Sequence, residues 1–334
     1  MKLLRYILFP VVPIYFLVTW LRNKLYDMGW KSSKSFDIPI ICVGNLSVGG
    51  TGKTPTIEYL IKLLSPNYKV ATLSRGYKRN SSGFIIADDQ CTAASIGDEP
   101  FQFYNKFKAI IVAVDADRRH GISELIKQKQ PDIILLDDAF QHRKVKAGFN
   151  VLLTSFDNLY VDDFVLPTGN LREPKSGAKR ANVIVVTKCP ETISDSEKKS
   201  IIKRLKPLSH QTVFFSSIQY SEEILNANES LALSELKGEK FTLVTGIANP
   251  KPLENFLDNE GLQFEHLKFK DHHNFTESDI SLLKTKERIV TTEKDYVRLS
   301  PYFKDEKRLF YLPIEFKIDA LEIFEKSILS YLKS

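Results

Sequence analysis

From residue 38 onward the chain alternates short apolar runs with amphipathic stretches. "IPIICVG", "KVATLS", "AIIVAVD", "PDIILLDD", "FNVLLTS" and "ANVIVVTK" are apolar throughout, the pattern of strands buried on both faces. Between several of them lie amphipathic segments such as "TIEYLIKLL" and "GISELIKQKQ". That alternation predicts a parallel sheet wrapped by helices, with any site at the carboxyl ends of the strands. The polar stretch "YSEEILNANESLALSELKGEK" reads as a link. After it a second, shorter alternation begins: "KFTLVTGIANP", "LQFEHLKFK", "ERIVTTEKD" and "KRLFYLPIEF". Two α/β units are expected, a larger one over residues 36–225 and a smaller one over 236–334.

The first thirty-five residues break this pattern. Tyr6 to Leu21 is an uncharged apolar and aromatic stretch with Thr19 as its one polar side chain, and Lys2, Arg5, Arg22 and Lys24 lie at its flanks. The stretch falls short of the roughly 20 residues a spanning helix needs, and Pro10 and Pro13 lie inside it. An interfacial, membrane-contacting helix with Trp20 and Trp30 at headgroup level fits these features. The other reading is a helix packed on the protein's own core.

Composition narrows the function classes. The chain has 334 residues, 43% hydrophobic and 26% charged, enough for sizeable cores. A net charge of +6 suits an anionic ligand or an anionic membrane surface. Lysines and arginines are scattered, with no basic stripe interleaved with aromatics, so nucleic acid is not an expected partner. The three cysteines have no metal-ligand spacing.

Chemistry concentrates in a few motifs. "SVGGTGKTP" follows the first strand and opens a helix. In that context Ser47, Val48, Gly49, Gly50, Thr51, Gly52, Lys53 and Thr54 read as a phosphate-cradling loop, with ATP as the expected nucleotide. Glycines let backbone N–H groups converge on phosphate oxygens; Lys53 would reach the β- and γ-phosphates and Thr54 would face Mg²⁺. Ser47 stands where the first glycine of such loops usually does. "PDIILLDDAFQH" brings Asp137 and Asp138 to a strand end, where a metal-holding carboxylate belongs, with Gln141 near the same edge. In "IGDEPFQF", Asp98 and Glu99 read by residue type as a helix cap and its first-turn partner. Arg75, Arg118 and Arg172 follow strand ends and could clamp anionic groups or simply solvate loops. "FKDHHNFT" sets Asp271, His272 and His273 together after a strand, without zinc spacing.

Taken in order, "SVGGTGKTP", "LSRGY", "GDEP", "DDAFQH", "LREP", "GIANP", "FKDHH" and "TTEKD" resemble the tetraacyldisaccharide 4'-kinase family of lipid A biosynthesis over nearly the whole chain. The resemblance implies transfer of the ATP γ-phosphoryl group to the 4'-hydroxyl of an acylated disaccharide phosphate lipid, at the cytoplasmic face of the inner membrane. It further implies that Asp98 is the base and His272 its partner, reversing the cap reading. Thr54, Glu99, Asp137 and Gln141 would surround Mg²⁺. Ala139 and Lys78 stand where that family usually shows glycine. A different class remains open: a membrane-associated P-loop ATPase that switches a protein partner. It would want a further lysine in the loop, near Val48. A non-catalytic nucleotide-binding module would leave the acids and His272 unexplained.

Overall fold

The computed structural model describes residues 9–303 and 307–333; Lys2 and Arg5 lie outside them. The strands are β1 (Ile40–Asn45), β2 (Val70–Ser74), β3 (Ile85–Ile86), β4 (Ile111–Val114), β5 (Ile133–Asp137), β6 (Phe149–Ser155), β7 (Val183–Thr187), β8 (Thr212–Tyr220), β9 (Glu223–Leu225), β10 (Ser230–Ala232), β11 (Lys240–Thr245), β12 (Gln263–Lys268), β13 (Ile289–Thr292), β14 (Leu309–Leu312) and β15 (Ile314–Ile318). The helices are α1 (Val12–Asp27), α2 (Lys53–Leu64), α3 (Ala93–Ile96), α4 (Asp98–Lys106), α5 (Arg118–Lys129), α6 (Asp195–Leu205), α7 (Lys251–Asn259), α8 (Glu277–Lys284), α9 (Glu293–Leu299) and α10 (Leu321–Leu332).

The larger sheet runs β15-β8-β7-β6-β1-β5-β2-β4-β3. Its seven inner strands are parallel and its two edges antiparallel. β1, β5 and β2 are buried along their full length, as their apolar runs demand. Helices cover both faces, giving one core around Leu46, Leu136 and Phe140 and another around Ile57, Leu60 and Phe103. β1 lies between β5 and β6, with Val43 opposite Asp137. The loop after β1 and the acids ending β5 therefore share one sheet edge. The second sheet runs β10-β9-β14-β13-β11-β12.

The expected division needs correcting at both ends of the second unit. The polar stretch after β8 is not a free link: β9 and β10 pair as an antiparallel hairpin on the second sheet, driven by burial of Ile224, Leu233 and Leu236. The C-terminal segment instead returns to the first sheet. β15 pairs with β8, and α10 buries Phe324 and Ile328 in the core beside α2. Pro313 separates β14 from β15, so adjacent strands feed different sheets.

α1 carries Pro13 in its first turn, where a missing N–H costs nothing. No helix among the described residues is long and apolar enough to cross a membrane. Tyr15, Arg22, Asn23 and Tyr26 form the inward face. Tyr15 Oη donates to the Arg172 carbonyl at 3.0 Å, Arg22 to the Gln141 carbonyl, and Asn23 to buried Glu173. Ile14, Leu17, Val18 and Leu21 form an outward stripe at i, i+3, i+4 and i+7, exposed by 64%, 58%, 62% and 48%.

The two units meet where α9 packs on α4. Lys106, ending α4, places its ammonium 2.7 Å from Glu58 of α2 and 2.8 Å from Glu293 of α9. Gln102 donates to the other Glu58 oxygen at 2.8 Å. Burial, then the Glu293 carboxylate, push the Glu58 carboxyl up from 4.5 to about 7, against the pull of Lys106. A raised value means stability that is present below the ordinary value and lost as pH rises through the raised one. Removing the ammonium exposes both carboxylates to each other in a dry site. Lys106→Met therefore costs about 3–5 kcal/mol, more at pH 8 than at pH 5, by urea denaturation at the two pH values. Equal losses at both would contradict this.

Candidate active site

The loop after β1 folds as a cradle. Gly49 and Gly52 have φ of 108° and 82°, a region L side chains adopt only with strain. Lys53 is the first residue of α2, so the loop feeds a helix N-terminus. Its rim is fixed from three sides. Val48 N–H donates to the Asn170 carbonyl at 2.8 Å, Asn45 donates to Thr51 Oγ1 at 2.8 Å, and Thr187 Oγ1 donates to the Thr51 carbonyl at 2.9 Å. Ser47 takes the first-glycine position without difficulty because it bridges to Leu171 as ordinary extended chain.

Asp137 ends β5 beside this loop, buried, with Oδ1 lacking a hydrogen-bond partner. Burial, then Glu99 and Asp138, push its carboxyl up to about 7. Glu99 and Asp137 thus feel each other across one cleft, although they lie on different elements. Asp138 has the left-handed φ of 47°, which aspartate tolerates. Ala139 itself does not, so an alanine serves at that position. Lys78 does take the glycine conformation, at φ 60°. Asp138 sits 3.8 Å from the Lys53 ammonium and is forked by Arg172 at 2.7 and 3.1 Å. Burial raises its carboxyl, but Lys53 and Arg172 outweigh that and hold it low. Gln141 donates to the Asn45 carbonyl at 2.8 Å and to Glu173 at 3.0 Å, while its Oε1 is buried without a partner.

Asp98 is not a cap. Gly97 caps α4, with φ of 96° and its Cα so close to Gly76 that a Cβ would meet it at 3.3 Å. Asp98, one residue on, reaches instead into the second unit. Its Oδ2 lies 3.2 Å from His272 Nδ1 and accepts from the Arg298 guanidinium of α9. Burial raises the Asp98 carboxyl, but His272 and Arg298 prevail and hold it well below the usual range. His272 has φ of 56° and is tied through its backbone N–H to the Gly246 carbonyl at 3.0 Å. Gly246 N–H in turn donates to buried Asp295 at 2.8 Å. Strain at such a residue persists only where surroundings over-determine it. Lys294 completes the set, 3.0 Å from His272 Nε2 and 3.7 Å from Glu99. A phosphate cradle, the buried Asp137 with Glu99 and Asp138 near it, and a carboxylate–imidazole pair thus come together where the units meet.

The family model described as tetraacyldisaccharide-1-P 4'-kinase matches residues 4–333. The chain belongs to that family. It is 54% identical to the tetraacyldisaccharide 4'-kinase of Flavobacterium johnsoniae, over 100% of this chain and 98% of the relative. Against that of Bacteroides thetaiotaomicron it is 46% identical, covering 98% and 93%. Among solved structures it is similar to LpxK from Aquifex aeolicus in complex with ATP, at 29% identity and a TM-score of 0.80, covering 98% and 99%. Membership of the 4'-kinase family does not favour the switch-ATPase reading.

Two of the arginine expectations change. Arg118 is 2% exposed and donates to the carbonyls of Asp115 and Asp137 at 3.1 and 3.2 Å, bracing β5 from beneath. Arg172 is committed to Asp138 and Asn45. Both guanidiniums are thus engaged within the chain, whereas Arg75, just past β2, is exposed. His273 pairs with Asp279 at 2.9 Å at the start of α8 and stands apart from the cleft. Sequence reasoning missed Glu173, Lys294 and Arg298. The first two lie inside "LREP" and "TTEKD", which carried their signal unread. Arg298 falls one turn beyond its motif and had none.

Proposed function

We propose that this member of the 4'-kinase family transfers the γ-phosphoryl group of ATP to the 4'-hydroxyl of a tetraacyldisaccharide 1-phosphate. The observation that carries the reading is the Asp98–His272 contact, made from two units beside a phosphate cradle. ATP would lie along Ser47–Thr54 with its terminal phosphates toward Lys53, and Asp98 would take the proton of the acceptor hydroxyl. In a loose transition state that proton leaves late, so placement of the carboxylate counts for more than its basicity. Arg75, exposed just past β2, would meet the acceptor's anionic portion.

Mg²⁺ fits the donors present. Asp137 Oδ1 and Gln141 Oε1 are buried oxygens without partners, and Asp137 carries the mark of excess negative charge from Glu99 and Asp138. No group of three or more His, Cys, Asp or Glu suited to a metal exists among the described residues, which suits an ion that keeps waters and phosphate oxygens as ligands. Asp137, Glu99, Gln141 and Thr54 would hold it, and it would offset charge on the phosphates.

The acceptor is a lipid, and the outward stripe of α1 supplies an apolar face for its membrane, the cytoplasmic surface of the inner membrane. The inward face of the same helix reaches Arg172, Gln141 and Glu173, so the surface and the site are one assembly. Ile14→Glu with Val18→Glu should lower binding to anionic vesicles at least about 10-fold, leaving transfer to detergent-dispersed acceptor within about twofold. Unchanged sedimentation with vesicles would remove α1 from membrane contact. The function itself is tested by incubating the chain with γ-labelled ATP and the lipid acceptor: label enters the lipid, and its confinement to inorganic phosphate would overturn the reading.

A further inference from the structure

A neutral imidazole offers one N–H and one lone pair, and an ammonium offers hydrogens alone. Lys294 Nζ stands 3.0 Å from His272 Nε2, so that nitrogen must present its lone pair. The ring proton then sits on Nδ1, facing the Asp98 carboxylate at 3.2 Å. The opposite tautomer sets N–H against ammonium and lone pair against carboxylate, losing two bonds for one gained from the Arg298 guanidinium, 2.9 Å from Nδ1 and already donating to Asp98. Arg298 donates to the same Asp98 oxygen that Nδ1–H faces. Asp98 Oδ2 thereby takes two donors, which leaves Oδ1 for an acceptor hydroxyl.

We propose that Lys294 and Arg298, one turn apart on α9, are positioning residues that hold His272 as its Nδ1–H tautomer and aim Asp98 Oδ1 at the acceptor. They stand four positions apart, at i and i+4, so both side chains leave the same face of the helix. Asp295 on that helix anchors Gly246, whose carbonyl holds the His272 backbone. Glu293, at its start, binds Lys106 at the far end of α4. α9 thus grips α4 at both ends, through Glu293–Lys106 and Arg298–Asp98, and sets the distance between His272 and Asp98. The second unit contributes a frame as well as a histidine. This rests on the reading of Asp98 as the proton acceptor.

The test combines a spectrum with kinetics on the full chain. Long-range ¹H–¹⁵N correlation, with His272 assigned by comparison with His272→Gln, reads the tautomer without substrate. The wild type is expected to show protonated Nδ1 and bare Nε2, and Lys294→Met to revert to the Nε2–H form usual for histidine. The same variant should lose about 10- to 100-fold in kcat, the scale on which outer partners of functional side chains act, with KM for ATP nearly unchanged. Lys294→Arg, which still donates to Nε2, should recover most of the loss. Melting temperatures identify any variant that fails through folding. Protonated Nε2 in the wild type overturns the proposal, as does an unchanged kcat in a folded Lys294→Met. Normal transfer by Asp98→Asn would overturn the underlying reading instead, and the substrate-free spectrum keeps the two failures apart.

Discussion

Lys53→Ala should lower kcat by about 10²–10³-fold, the cost of removing one preorganised charge at a site of developing negative charge, and leave the fold intact. Lys53 begins α2 from the cradle, where its backbone adds to the helix N-terminus. In the structure its nearest carboxylate is Asp138 at 3.8 Å. Asp138 is also forked by Arg172, so losing Lys53 does not strand a charge. The melting temperature should therefore change little. A near-normal kcat in steady-state assays with γ-labelled ATP would show that the cradle does not act on the transferring phosphoryl group.

Asp98→Ala should cost about 10²–10⁴-fold in kcat, the range for a positioned general base, with the KM for ATP nearly unchanged. The carboxylate touches no part of the cradle; its partners are His272 and Arg298. His272→Ala should fall in the same range if orientation of Asp98 is what catalysis needs. Were Asp98 merely the first-turn acid of α4, its loss would show as a few tenths to about one kcal/mol of stability with kcat preserved. Rate and melting temperature measured on the same preparations separate the two views.

Much of this was legible in the chain. Runs such as "PDIILLDD" gave buried parallel strands because no polar residue interrupts them, and the cradle was readable because glycines and Lys53 sit between strand and helix signals. The role proposed for Asp98 was not legible from residue types alone: "GDEP" looks like a cap, and only the resemblance pointed elsewhere. The structure supplies the reason, since Gly97 occupies the cap and frees Asp98. What the sequence hid was long-range pairing. β15 follows β14 after a single residue yet joins the other sheet, a choice made by tertiary burial rather than by local pattern. Arg118 and Arg172 could be read as anion clamps or as loop-solvating groups, because burial and partners cannot be read from a loop's composition. Arg298 carries no motif, and its importance appears only when α9 is laid against α4.

Asp98 and His272 are proposed to act as one unit across the two sheets. Groups that act together are non-additive, whereas distant independent sites multiply their effects on rate. The decisive measurement is kcat for Asp98→Ala, His272→Ala and the double variant, with γ-labelled ATP and the lipid acceptor at saturation. The double variant should be hardly slower than the slower single variant. Rate losses that multiply would contradict the coupling.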